Sequence, residues 1–157
     1  MKLDIKELHE RYQELLNKEV IVEGWIKSHR RQKDFGFIDF TDGTCFKSIQ
    51  VVYTSELTSF EDISKMAIGC AICVEGTLIE SEGSGQEYEI KASNVTLLGG
   101  VDDDYPLQSK GRPTREFLRE VGHLRPRTNL FNAVFRVRSV AAFAIHKYFN
   151  ENGFVYF

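Results

Sequence analysis

Cysteine is scarce: 157 residues hold three, Cys45, Cys70 and Cys73. An odd, small set argues against a disulfide framework and suits a reducing compartment. Cys70 and Cys73 form one C-x-x-C, but a structural zinc site takes four ligands and the sequence offers no second pair. An offset of three along a strand also sends the two thiols to opposite faces, so both read as small hydrophobes. No apolar run is long enough to span a bilayer, and the N-terminal MKLDIKELHE lacks the apolar stretch of a signal peptide. The expectation is a soluble cytoplasmic chain with no membrane partner. Basic charge is not in excess either, with 20 Lys and Arg against 23 Asp and Glu, which excludes a general nucleic-acid coat.

The charge is instead divided. Residues 1–109 carry eleven basic and twenty acidic side chains; residues 110–138 carry eight basic and two acidic. A change of role near residue 110 is implied.

Ahead of that point the pattern is mostly β. Residues 4–17 repeat apolar groups at helical spacing (Ile5, Leu8, Tyr12, Leu15, Leu16), with Asp4 as N-cap. His9 reads as a surface histidine. Strands follow at 19–27, 35–40, from 49, 70–80 and 87–98, with helical spacing at Phe60, Ile63 and Met66 between the third and fourth. A basic loop, Ser28 to Lys33, joins the first two strands, and Asp42-Gly43 is a turn signal. The polar 81–86 (SEGSGQ) reads as a turn: its Gly83-Ser84-Gly85 has no helix after it to make a phosphate site. Five strands with a helix between the third and fourth are the order of an OB-fold, a five-stranded Greek-key barrel. In the middle strand Gly36, Ile38 and Phe40 share the core face, and Phe35, Phe37 and Asp39 the other. Aromatic rings beside cations suit a single-stranded nucleic acid, because bases stack on rings while Lys and Arg meet phosphates.

After the barrel, Gly99-Gly100, Asp102-Asp103-Asp104 and Tyr105-Pro106 mark a boundary; the three aspartates read as a solvated linker, not a cation site. A short helix is expected over 115–121, and His123 has no nucleophile to serve. From Asn132 to Asn150 the spacing is strongly helical, with a stripe at Val134, Val137, Ala141, Ile145 and Tyr148 widened by Phe135 and Phe149. Asn152-Gly153 closes the helix, and Phe154 to Phe157 opens a strand. Such a helix is poorly buried against one small barrel, so the chain is expected to be part of a longer protein.

Val22-Glu23-Gly24-Trp25-Ile26, Gly36-Phe37-Ile38-Asp39-Phe40, Asp42-Gly43, Ile49-Gln50-Val51-Val52 and Val74-Glu75-Gly76 recur in this order in one family. So do Tyr105-Pro106-Leu107-Gln108, Glu116-Phe117-Leu118-Arg119 and His123-Leu124-Arg125-Pro126-Arg127-Thr128-Asn129. On these motifs the whole chain resembles the N-terminal part of a class IIb aminoacyl-tRNA synthetase, most of all the bacterial-type asparaginyl branch, with the aspartyl branch as the alternative. The resemblance implies a domain plan: an OB-fold anticodon-binding domain with its N-terminal helix over 1–100, a hinge over 101–130, and over 131–157 the start of a truncated catalytic domain. That start is the motif 1 helix, which in the family builds a homodimer interface. Motifs 2 and 3, which hold ATP and the adenylate, are absent from the chain, so the parent would use ATP and Mg²⁺ while this chain binds neither and is inactive.

The resemblance also implies a tRNA anticodon-binding set. Phe37 matches the aromatic that stacks on the middle base, uracil, and Gln50 an amide contacting bases beside it. Arg30 matches a base- or phosphate-contacting arginine, and Glu89 an acid that reads the first base, guanine or its modified form. No residue is assigned to the third base. Outside the family, a free-standing OB nucleic-acid module and a barrel serving only protein partners remain open.

Overall fold

The computed structural model describes residues 1–81, 83, 85–108 and 113–157. The chain divides into two compact units, Met1–Arg112 and Pro113–Phe157. Parts of the polar turn at 81–86, Glu82 and Ser84, lie outside the described residues, as do 109–112, where the charge balance changes.

In the first unit five strands, β1 (Glu19–Arg31), β2 (Phe35–Thr41), β3 (Ile49–Thr54), β4 (Ala71–Glu80) and β5 (Tyr88–Gly99), close into a barrel in the order β1-β2-β3-β5-β4. This is the expected OB-fold. β3 and β5 run parallel and the other pairs antiparallel. Alternation decides the faces: Val20, Val22 and Ile26 of β1, Ile38 and Phe40 of β2, and Ile49, Val51 and Tyr53 of β3 enter the core. Gly36 is required there, because a Cβ on it would lie 2.3 Å from the Tyr53 ring.

The first strand is longer than the sequence implies. Ser28 to Arg31 belong to β1 and pair with β2, so the basic loop shrinks to the residues around Lys33. The register shifts between Ile26 and Ser28. That bulge reverses the alternation: Ile26 lies opposite Phe40 on the inner side, yet Arg30 lies opposite Phe37 on the outer side. Without the extra residue Arg30 would point inward.

The N-terminal helix is two short pieces, α1 (Ile5–Glu10) and α2 (Tyr12–Leu15), broken at Arg11 (φ −119). Asp4 caps α1 as expected, accepting from the Glu7 amide at 2.7 Å. His9 is half-buried, not a surface histidine: its Nδ1 meets the Tyr88 hydroxyl, and its buried Nε2 has no hydrogen-bond partner among the described residues. Burial, reinforced by the Lys47 charge, holds its pKa below the usual histidine value. α3 (Phe60–Lys65) lies between β3 and β4 and buries Ile63. The cysteines are free thiols, Cys70 buried and Cys73 half-buried. Past β5, Asp102 to Asp104 are exposed, and the Tyr105 ring sits where a side chain on Gly69 (φ +92) would be, 2.7 Å from its built Cβ.

The second unit starts with α4 (Phe117–Glu120), a 3-10 turn at Arg125–Arg127, and α5 (Asn129–Glu151). Pro126 fits the turn because its missing N–H falls where no helical acceptor stands. The Thr128 hydroxyl caps α5 by accepting from the Phe131 amide at 3.4 Å. The Arg125 guanidinium lies over Phe131 and Phe135, 4.9 and 5.2 Å from the ring centroids. Gly153 (φ +83) ends the helix. Phe154 to Phe157 do not form the expected strand. A strand needs a neighbouring strand for its N–H and C=O groups; among the described residues no strand lies against 154–157, and the Phe154 amide donates back to the Phe149 carbonyl of α5 at 3.1 Å. His123 is exposed.

Candidate nucleic-acid interface

The four residues singled out from the sequence fall on four different strands and meet on one outer surface. β1 brings Arg30 opposite Phe37 of β2. The Arg30 side chain crosses β2 with its guanidinium over the Phe37 ring, 5.1 Å from the centroid. It ends on β3, where Nη2 donates to Gln50 Oε1 at 2.9 Å. The parallel register of β3 and β5, with Val51 opposite Ile90, sets Gln50 beside Glu89. Gln50 Nε2 then donates to Glu89 Oε2 at 2.8 Å. One amide thus passes the connection on, accepting from the cation and donating to the carboxylate, and this orientation is the one that satisfies both neighbours.

Phe37 is half-buried on the outer face, and the more exposed Phe35 meets it edge-on, with centroids 5.4 Å apart. The exposed Phe35 ring is available for stacking by a planar group, whereas a group stacking on the Arg30 side of Phe37 takes the place of the guanidinium there. Arg31 and Lys33 are exposed nearby in sequence. Lys27 Nζ stands 3.9 Å from Asp39 Oδ2, so part of the local positive charge is matched.

Glu89 is only 8% exposed and is the buried charged residue of the barrel among those described. A buried carboxylate must be hydrogen-bonded, and it is. Besides Gln50, Ser81 Oγ donates to Oε2 at 3.0 Å and Gln86 Nε2 donates to the same oxygen at 2.9 Å. Gln86 Nε2 also reaches Ser81 Oγ at 3.3 Å. Alternation assigns Glu89 a polar face but gives no hint that Ser81 and Gln86 converge on it. The two stand eight and three residues ahead of it, in a turn legible only as polar.

His29 is the other departure. It lies within the basic stretch by sequence, yet its ring is held on the opposite side from Arg30, facing Tyr53. Nδ1 is 2.9 Å from the Met66 carbonyl, which can only accept, so Nδ1 carries the proton and Nε2 accepts from the Tyr53 hydroxyl at 2.6 Å. Burial is the main cause that lowers its pKa; the Met66 carbonyl opposes it and the Arg31 charge adds to it. His29 is therefore a neutral strut and supplies no charge to the surface.

Comparison with known proteins agrees with the fold. The tRNA anti-codon family model, described as an OB-fold nucleic acid binding domain, matches residues 20–98. The asparagine–tRNA ligase of Alkaliphilus metalliredigens is 51% identical over 154 residues, 98% of this chain and 33% of that protein. That of Acholeplasma laidlawii is 52% identical over 157 residues, 99% of this chain and 34% of that protein. Among solved structures, asparaginyl-tRNA synthetase from Pyrococcus horikoshii complexed with asparaginyl-adenylate superposes with a TM-score of 0.81 at 22% identity, over 99% of this chain and 36% of that one. At that identity the likeness shows the fold alone. The chain spans about a third of the length of the curated relatives it matches.

Proposed function

From the premise that the chain belongs to the OB-fold nucleic acid binding domain family, we propose that it is the anticodon-binding part of an asparagine–tRNA ligase. The observation that carries this is the connected line from Arg30 over Phe37 to Gln50 and Glu89. A single-stranded base needs a ring to lie on, an amide or acid to read its edge, and a cation for its backbone. The line offers all three within one patch. Phe37 stacks the middle base, Gln50 reads an edge beside it, Glu89 reads the first base, and Arg30 contacts a phosphate or a base. Relatives near 50% identity that carry the name asparagine–tRNA ligase favour asparagine over aspartate.

In this proposal the parent, acting in the cytoplasm, attaches asparagine to its tRNA using ATP and Mg²⁺, and α5 belongs to a homodimer interface. The chemistry belongs to the remainder of the parent. Among the described residues no group of three His, Cys, Asp or Glu stands together to hold a metal, and no step of the reaction is routed through these side chains. The domain plan of 1–100, 101–130 and 131–157 is part of the same proposal. This chain alone is expected to show no asparagine-dependent ATP–pyrophosphate exchange. Exchange by purified chain would overturn that part.

The test of RNA reading is binding of an anticodon stem-loop with guanine first and uracil in the middle. Phe37→Ala removes a stacking contact worth about 1–3 kcal/mol and leaves the barrel folded, because the ring is on the outer face. Arg30→Ala lowers affinity and flattens the salt dependence if its contact is to phosphate. Glu89→Gln acts on the first base: the amide oxygen must stay with the three donors now on Oε2. Its NH₂ then faces the guanine N–H groups, donor against donor. Unaltered binding by all three folded variants would mean that the barrel serves a protein partner instead.

A further inference from the structure

The Glu89 carboxylate is unevenly occupied. Oε2 accepts from Gln50, Ser81 and Gln86, while Oε1 accepts from none of the described residues. Nor is Oε1 sealed off, because among the described residues the buried unpartnered side-chain atoms are His9 Nε2 and Arg125 Nε. Two of the three donors come from the connection between β4 and β5, and the third comes from β3. A lone carboxylate rotates about its last torsion, and its two oxygens are interchangeable. Three donors on one oxygen remove that freedom and leave a single acceptor turned outward.

We propose that Ser81 and Gln86 are positioning residues that make Glu89 a one-oxygen reader of the first anticodon base. The inference rests on the proposed anticodon reading and deepens it. Guanine presents an N1–H and an N2–H₂ on its pairing edge, and an unrestrained carboxylate takes one on each oxygen. Here Oε2 is saturated, so only Oε1 receives the base. The advantage is orientation: the acceptor is fixed before the RNA arrives, so no ordering cost falls on binding. A base offering an acceptor at that place meets a carboxylate that cannot swing aside, so rejection sharpens along with acceptance. Buried Glu89 also cannot shed these donors freely, because a carboxylate stripped of partners at 8% exposure is costly.

The experiment compares binding of two stem-loops, guanine-first and adenine-first, otherwise identical, to the 157-residue chain and its variants. Ser81→Ala combined with Gln86→Ala is expected to reduce the guanine preference about tenfold, the scale of one hydrogen bond to a charged group. Guanine-first binding falls and adenine-first binding rises, because the released carboxylate can swing aside from an acceptor. Ser81→Thr keeps a hydroxyl and keeps the preference. Gln86→Glu sets a second carboxylate against Glu89 and loses it, providing an independent variant should the double alanine fail to fold. A purely structural role would lower both affinities together and leave their ratio intact. If the parent prefers guanine, Glu89→Gln abolishes that preference and the double alanine variant retains it, the positioning role is wrong while the anticodon reading stands. If the parent shows no guanine preference, both fail.

Discussion

His29 shows how much of a residue's role depends on what lies across the barrel from it. In sequence it is one basic side chain among several, beside Arg30, Arg31 and Lys33. In the fold a backbone carbonyl and a tyrosine hydroxyl fix it as the neutral Nδ1–H form. Its pKa is lowered from the ordinary 6.5, and so is that of His9. Lowered histidines favour the neutral ring in the fold. Their contribution to stability is complete above 6.5 and is lost as pH falls through the lowered folded values. The melting temperature should therefore drop between about pH 7.5 and about pH 5. His29→Gln and His9→Gln should each make that drop smaller, since carboxylates common to all three proteins cancel in the comparison. Parallel pH profiles for parent and variants would show that neither ring is held neutral. Gly36, by contrast, was legible: alternation puts it on the core face between two outer phenylalanines. The reason for a glycine there, the Tyr53 ring, was not, because it comes from another strand.

At the scale of elements, alternation found all five strands, since period two along a half-buried strand is a strong signal, and helical spacing at Phe60, Ile63 and Met66 found α3. It missed the bulge in β1. A bulge adds one residue without altering composition, and the polar run from Lys27 to Lys33 has no apolar markers to reveal a change of phase. It also missed the break at Arg11, because the apolar spacing carries on through it. Asp42 is half of a turn signal in the sequence, and in the fold it does more than turn the chain. Its Oδ2 accepts from the Ile5 amide at 2.7 Å, and its Oδ1 accepts from the Thr44 amide and hydroxyl at 3.0 and 2.7 Å. The Ile5 amide is one of the unpaired donors at the start of α1. Asp42→Ala should thus loosen the β2–β3 turn and α1 together, at about 1–3 kcal/mol, the cost of leaving a partly buried donor unmatched. Urea unfolding measures the sum, and amide exchange in Ile5 to Glu10 locates it. Unchanged exchange there would show that α1 is held by Ile5 and Leu8 packing alone.

Across the whole molecule, the acidic barrel region and the basic stretch that follows were plain from composition, and so was the apolar stripe on the last helix. The outcome of that stripe is now visible. Val134, Val137, Ile145 and Tyr148 are exposed, Val137 at 69%. Val140 and Phe143 lie outside the expected stripe and are exposed too, Phe143 at 71%. A helix apolar on more than one side is one that other elements normally cover, and an exposed patch of this kind favours association. In the proposed parent, a second copy and the rest of the catalytic domain would cover it. The isolated chain is expected to self-associate through α5, with sedimentation showing species above monomer that dissociate on dilution. Val137→Glu with Phe143→Glu should restore a monomer and leave stem-loop binding unchanged, since neither residue belongs to the Arg30–Phe37–Gln50–Glu89 surface. A parent chain that sediments as a monomer at high concentration would show that α5 is covered within its own chain. Association that survives both charged substitutions would place the contact elsewhere, with the exposed Trp25, Leu97 and Leu98 of the barrel as the next surface to alter.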